Sequence, residues 1–255
     1  MTKQIQEDRS QFVIKANAIV RRSRFSMSAM QQKAYLFLIS KIKHDDDADQ
    51  PYVFSVGDFI RACGLADSGE NYEAVKDALK SIRDISFWLD NGRTKTLLGL
   101  LDKVTIDTAS RTIECSFHED IKPYLIHLRD NYTQYELQHV LVMRSKYAIR
   151  LYEISKSYQY TREFEASVED LKKMMDAEVY TEYKAFKRRA LIPAVDEINL
   201  TSDINLSFVE SKAGQTGRKV SRIKFLITPK TSDEQWLAEK ERERIYGKNA
   251  ETDRG

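Results

Sequence analysis

The sequence predicts an α+β chain made of two tandem copies of one small domain, and three observations carry that prediction. Amphipathic helical stretches alternate with short extended ones along all 255 residues, a length that suits two domains of ordinary size. Three sequence blocks recur in the same order at nearly constant spacing. Each copy then closes on two strand-like segments, and in the second copy a glycine-containing turn joins them.

The repeat can be followed residue by residue. In YLFLISKI (35–42), Leu36, Phe37, Ile39, Ser40 and Lys41 fall on Leu151, Tyr152, Ile154, Ser155 and Lys156, an offset of 115. FSVGDFIRACG (54–64) resembles ASVEDLKKMMD (166–176), sharing Ser-Val-x-Asp at an offset of 112. YEAVKDALKSIRDIS from 72 resembles YKAFKRRALIPAVDEIN from 183, an offset that starts at 111.

Within a copy the elements follow in order. A long helix comes first, expected at Ser26 to Lys43 and at Arg144 to Tyr158. The short extended pieces YVFS and EFEA follow. Ser55 and Ser167 then suit N-caps, with Asp58 and Asp170 three residues on as in a capping box. A short helix, a turn and a third helix come next. The closing strands are KTLLGLLDKVTID and TIECSFHED in the first copy, INLSFVESK and RKVSRIKFLI in the second, the latter joined by AGQTG. Helix, short strand, helix-turn-helix, hairpin is the order of a winged helix, whose third helix enters a DNA groove. The fold class is therefore α+β, two tandem winged-helix domains related by internal repeat. The expected division is 1–130, 131–230 and a charged C-terminal tail at 231–255.

The net charge of +2 hides an uneven distribution. Residues 1–130 hold 19 Lys/Arg and 19 Asp/Glu, residues 131–230 hold 17 and 13, and the tail holds 5 and 7. Such asymmetry points to a patch facing an anionic partner. In the first copy's third helix, Ala74, Val75, Ala78, Leu79, Ile82 and Ile85 form an apolar face. Its opposite face mixes Lys76, Lys80 and Arg83 with Glu73, Asp77 and Asp84, which makes a weak DNA reader. In the second copy, Phe186, Ala190, Leu191, Ala194 and Ile198 line the core side. Lys184, Arg188 and Arg189 point elsewhere, Lys187 lies near the apolar side, and Pro193 is expected to kink the helix. Lys212, Arg218, Lys219 and Arg222 flank the second hairpin turn, either as a wing on backbone phosphate or as a charged edge that discourages aggregation. Arg21, Arg22 and Arg24 suit a mobile basic arm or a disordered terminus.

Other motifs point to no chemistry. HDDDAD (44–49) reads as a solvated turn, because adjacent carboxylates repel rather than converge on a cation. The four histidines lack HxH and HExxH spacing, GQTGRK lacks P-loop spacing, and no GxGxxG is present, so no catalytic site, metal or cofactor is expected. Cys63 and Cys115 lie in apolar sequence and read as reduced core thiols. No run of 18 apolar residues occurs and the N-terminus does not read as a signal peptide.

YTQYELQHVLVMRSKYAIRLYEISKSY (132–158), above all Ser145-Lys146-Tyr147-Ala148 with Arg150-Leu151-Tyr152-Glu153, resembles the iteron-binding plasmid replication initiator family. AMQQKAYLFLISKI (29–42) and RALIPAVDEIN (189–199) extend the resemblance over roughly residues 12–228. It implies a non-enzymatic bacterial protein acting on plasmid DNA in the cytoplasm. Its partners would be double-stranded DNA, as origin direct repeats or an operator inverted repeat, together with host initiation and helicase-loading proteins. A homodimer in equilibrium with monomer is also implied, with dimer contacts in the first domain and the stronger DNA contacts in the second. A winged-helix transcriptional repressor and, from the enzyme class, an origin-nicking endonuclease are the rival readings. Leu97, Leu98, Leu100 and Leu101 make one strand apolar on both faces, so a dimer interface is expected there, or else contact with the second domain.

Overall fold

The computed structural model describes residues 11–43, 46–47, 49–212 and 219–252, with side chains up to 247. Two compact units divide the chain, Met1–Val142 with Arg242–Gly255 and Met143–Glu241. The expected boundary at 130/131 therefore falls inside the first unit. The reason is strand pairing. Strand β1 (Phe12–Ala16) is antiparallel to β7 (Tyr132–Glu136), which ties the segment expected to open the second domain onto the first. The short helix α5 (Gln138–Leu141) follows it with His139, Val140 and Leu141 buried.

After β1 the first unit runs α1 (Asn17–Arg22), α2 (Ala29–Ile39), β2 (Tyr52–Ser55), α3 (Val56–Ala62), α4 (Gly69–Arg83), then β3 (Ser86–Asp90), β4 (Lys95–Gly99), β5 (Leu101–Asp107) and β6 (Thr112–Phe117). Arg21 and Arg22 thus sit in the last turn of a helix rather than on a mobile arm. Helix α2 is shorter than expected at both ends, and a capping box sets its start. The Ser28 hydroxyl accepts from the Gln31 amide, while the Gln31 side chain accepts from the Ser28 amide at 2.6 Å. Phe37 on α2 meets Phe54 and Phe59 edge-on, at ring-centroid distances of 5.5 and 5.1 Å. Ser55 caps α3 as its position suggests.

The expected single strand KTLLGLLDKVTID is two strands in two sheets. Its first half, β4, pairs with β3 around the turn at Asn91-Gly92, where Gly92 has φ +88. Its second half, β5, joins a three-stranded sheet ordered β2-β6-β5. This division explains the excess of leucine. Leu98 lies opposite Phe87 on the inner face of the β3–β4 hairpin, and Leu100 and Leu101 enter the core where the chain passes from one sheet to the next. These three are 0–2% exposed, so the expectation that they form a dimer interface does not hold. Only Leu97 faces outward, 48% exposed, opposite Trp88 at 58%.

The second unit repeats the frame without the inserted hairpin. It runs α6 (Lys146–Ser157), β8 (Glu163–Ser167), α7 (Val168–Met174), α8 (Tyr183–Phe186) continuing through a π-helical turn (Lys187–Leu191) into α9 (Ile192–Thr201), then β9 (Ile204–Lys212) and β10 (Val220–Pro229). Its sheet is ordered β8-β10-β9, the same arrangement as β2-β6-β5. Ser167 caps α7 by accepting from the Asp170 amide at 3.0 Å, matching Ser55 and Asp58. Phe164 stacks on Phe225 at 4.6 Å beneath Tyr158. Residues from Ser232 form helix α10 (Ser232–Thr252), so the expected tail is helical. Among the described residues no helix is long and apolar enough to cross a membrane. Cys63 and Cys115 are buried.

Burial separates the four leucines sharply, and stability should follow. Leu100→Ala is expected to lower the urea unfolding free energy by about 2–5 kcal/mol, the cost of a core cavity. Leu97→Ala should change it by no more than about 0.5–1 kcal/mol. Similar losses for the two would contradict their placement.

Candidate nucleic-acid interface

The third helix of the second unit must satisfy two environments along one axis. Phe186, Ala190, Leu191, Ala194 and Ile198 are fully buried, whereas Lys184, Arg188 and Arg189 are exposed. Pro193 has no amide hydrogen to bond one turn back, and its ring crowds the carbonyl four residues earlier. The chain responds just before the proline. Lys187–Leu191 form a π-helical turn in which the Ile192 amide donates to the Lys187 carbonyl, five residues back. The distortion expected at Pro193 is therefore a bulge over the residues carrying the charges.

The side chains of Lys184, Arg188 and Arg189 make no hydrogen bond or ion pair with the described residues. Lys187 differs. Its ammonium lies 2.5 Å from Glu210 on β9 and 5.8 Å from the centre of the Phe208 ring. The Tyr183 hydroxyl donates to the same Glu210 oxygen at 2.7 Å. Partial burial works to push the Glu210 carboxyl up, but the Lys187 ammonium and the Tyr183 hydroxyl outweigh it and hold it below the usual glutamate range. The Tyr183 hydroxyl is pushed up, chiefly by burial and then by its bond to Glu210.

Strand alternation sorts the cations of the wing. Ile204, Leu206 and Phe208 face the core, and Glu210 continues their row toward the hairpin tip, with Lys212 next in the same row and exposed. On β10 the inward row is Ile223, Phe225 and Ile227, which sends Arg222 and Lys224 to the opposite face. There Arg222 bonds Glu165 at 2.9 Å and Lys224 bonds Glu163 at 2.9 Å, across strands. Arg222 therefore does not join Lys212 on the helix side of the sheet. Lys219 is exposed beside the tip, and Arg218 lies outside the described residues.

The first unit's third helix, α4, buries Val75, Ala78, Leu79 and Ile82 as its periodicity predicts. Lys76 pairs with Glu73 at 2.8 Å and Arg83 approaches Asp84 at 3.6 Å, leaving Lys80 exposed without a partner. A groove of about 460 Å³ separates this face from β5, and it is lined by Lys76, Lys80, Arg83 and Lys103 with Asp77 and Asp102. Two of its four cations, Lys76 and Arg83, lie beside acids of α4 and its C-cap, and Asp77 and Asp102 line the groove with them. In the 44–49 segment the described carboxylates have partners within the protein. Asp46 accepts from the Lys43 amide and the Tyr52 hydroxyl, and Asp49 pairs with Lys122 at 2.7 Å.

Two residues of the candidate interface, Tyr183 and Glu210, escape a reading based on charge runs. Glu210 did leave a signal. It is an acid on the apolar side of the alternating strand INLSFVESK, two residues beyond Phe208.

Because the folded state holds Glu210 below its unfolded value, its contribution to stability is present above about pH 4.5 and is lost as pH falls through the lowered value. Urea unfolding of the full chain between about pH 5 and pH 3 should therefore fall more steeply in wild type than in Glu210→Gln. Parallel pH dependences would remove the carboxylate from the clamp.

Comparison with known proteins agrees with this architecture. Residues 12–156 match the family described as "Initiator Replication protein, WH1" and residues 167–227 match "Initiator Rep protein, WH2". A replication initiation protein of Escherichia coli is 30% identical over 113 residues, which make up 42% of this chain and 35% of that protein. The solved structure of the Pi initiator protein in complex with iteron DNA shares the fold. Its TM-score is 0.69 at 17% identity, over 88% of this chain and 99% of the other. With both of its winged-helix domains matched in order, the chain belongs to the initiator replication protein family.

Proposed function

We propose that this protein initiates plasmid replication by binding repeated origin sequences, with the second winged helix as the principal DNA reader. One observation carries the reading beyond family membership. Lys184, Arg188 and Arg189 stand exposed and unpaired at the start of the third helix, on a scaffold whose back half is fixed in the core. A cation held against its own carboxylate contributes little to a polyanion, whereas an unpaired one releases a counterion for each phosphate it neutralises. Arginine also matches guanine O6 and N7 bidentately in the major groove. Lys212 and Lys219 would add backbone contacts from the wing. The protein needs no catalytic step of its own in this scheme. It works in the bacterial cytoplasm by marking the origin and recruiting host initiation and helicase-loading proteins. A dimer that binds an operator inverted repeat would give the same fold a repressor's role at its own promoter, since two-fold protein symmetry matches two-fold DNA symmetry.

With Leu98, Leu100 and Leu101 in the core, the dimer proposal moves to the outer face of β3–β4, where Trp88 and Leu97 oppose each other in the open. An exposed cross-strand pair of this size suits a self-complementary contact.

Two measurements test this scheme. In band-shift titrations, Arg188→Ala and Arg189→Ala should each cost about 1–3 kcal/mol of binding, and Lys76→Ala, Lys80→Ala or Arg222→Ala clearly less. The logarithm of affinity should fall with the logarithm of salt by about 0.9 for each phosphate contact, so a slope near zero would sink the interface. In analytical ultracentrifugation at tens of micromolar, wild type should show monomer and dimer, and Trp88→Glu with Leu97→Glu monomer alone. A monomeric wild type, or unchanged dimerisation of the variant, would exclude that face.

A further inference from the structure

We infer that Glu210 sets how well the second domain distinguishes its own DNA sequence from any other, by withdrawing Lys187 from the cations available to phosphate. The assignment rests on the DNA-binding reading. Its geometry is specific. The Lys187 ammonium at 2.5 Å and the Tyr183 hydroxyl at 2.7 Å converge on one carboxylate oxygen, Oε1. Two residues of the third helix's first turns are thereby held to the wing strand through a single acceptor, while Oε2 receives no bond from the described residues.

An apolar side chain at 210 would continue the row Ile204, Leu206 and Phe208 but would offer nothing to the Tyr183 hydroxyl or the Lys187 ammonium. The acid instead does two things to an approaching duplex. It neutralises a lysine that would otherwise contact phosphate on any sequence. It also places a negative charge between helix and wing, where a duplex seated out of register would bring a phosphate close. Both effects weaken binding to all DNA, but they weaken it most where base contacts do not fix the register. Affinity for wrong sequences falls further than affinity for the right one.

The test uses the full chain as wild type, Glu210→Gln, Glu210→Asp and the double variant Lys187→Met with Glu210→Gln. The probes are a 30-base-pair random-sequence duplex pool and the duplexes that wild type enriches from it. Glu210→Gln keeps an acceptor for Tyr183 but frees Lys187. On the random pool its salt slope should steepen by about 0.9 and its affinity should rise about fivefold at physiological salt, the factor from one added phosphate contact. Affinity for the enriched duplex should change less, so the ratio of specific to random binding falls. Glu210→Asp should retain the wild-type ratio, and the double variant should return to the wild-type slope. If wild type enriches a sequence but Glu210→Gln keeps the wild-type slope and ratio, this inference is overturned alone. A slope change that persists in the double variant overturns it too, because the added contact would not be Lys187. If wild type enriches nothing, the DNA-binding reading fails and takes this inference with it.

Discussion

A helix sealed in the core along one face and lined with exposed cations along the other has almost no freedom to rotate about its own axis, and the second unit is organised around that constraint. Phe186, Ala190, Leu191, Ala194 and Ile198 are sealed in the interior, so the directions of Lys184, Arg188 and Arg189 follow from packing rather than from any bond of their own. Turning the helix to move the cations would bring Phe186, Leu191 and Ile198 into water, each worth about 1.5–3 kcal/mol. The π-helical turn belongs to the same constraint. It takes up the missing amide of Pro193 while Ala190 and Leu191 before it and Ala194 after it all remain buried.

Polar contacts tie the far end of the helix to α6. Glu197 on α9 accepts from the Arg144 and Ser145 amides at 2.5 and 3.1 Å, so the third helix helps to cap the start of α6. Lys156 and the Tyr152 hydroxyl on α6 both reach Asp203, just before β9, at 2.6 and 2.8 Å. Arg150 donates to the Met174 carbonyl at 2.9 Å and lies 3.9 Å from Glu153, with both side chains buried. Ser145, Arg150, Tyr152 and Glu153 among them belong to the stretch on which the family resemblance is strongest, and their role here is framework. Polar groups buried in a satisfied network cannot be exchanged one at a time without leaving a partner unpaired. Such a network favours a rigid base for the third helix.

Two copies of one frame have diverged through pairing rather than through composition alone. Three cations line the exposed side of α4 and four begin the third helix of the second unit, a modest difference in number. The larger difference is that Lys76 and Arg83 lie beside their own acids, whereas among the second group only Lys187 does. The first unit also carries the β3–β4 hairpin, which has no counterpart in the second. Its outer face ends in Trp88 and Leu97.

Much of this was legible in local patterns. The two-fold repeat, the Ser55 and Ser167 caps, the inward face of α4 and the disturbance near Pro193 all arise from interactions within a few residues, and spacing records such interactions directly. The exposed cations of the third helix were readable for the same reason, since helical period alone places them opposite Phe186 and Ala190. Three features were not readable, and all depend on partners distant in sequence. The pairing of β1 with β7 moved the boundary between the units, because strand pairing does not show in either strand's own residues. The assignment of β4 and β5 to different sheets turned three supposed surface leucines into core. Helical period sets Lys187 near the apolar side, but the acids that meet Arg222 and Lys187, Glu165 and Glu210, come from β8 and β9 and are not visible in the cations' own surroundings in sequence. The sequence by itself determined the periodic faces, the caps and the local excess of positive charge, because each is set by neighbours one or two turns away. Only the tertiary structure decided which of those charges stay without an acid partner, because a charge is cancelled by whatever the fold places within a few ångströms of it.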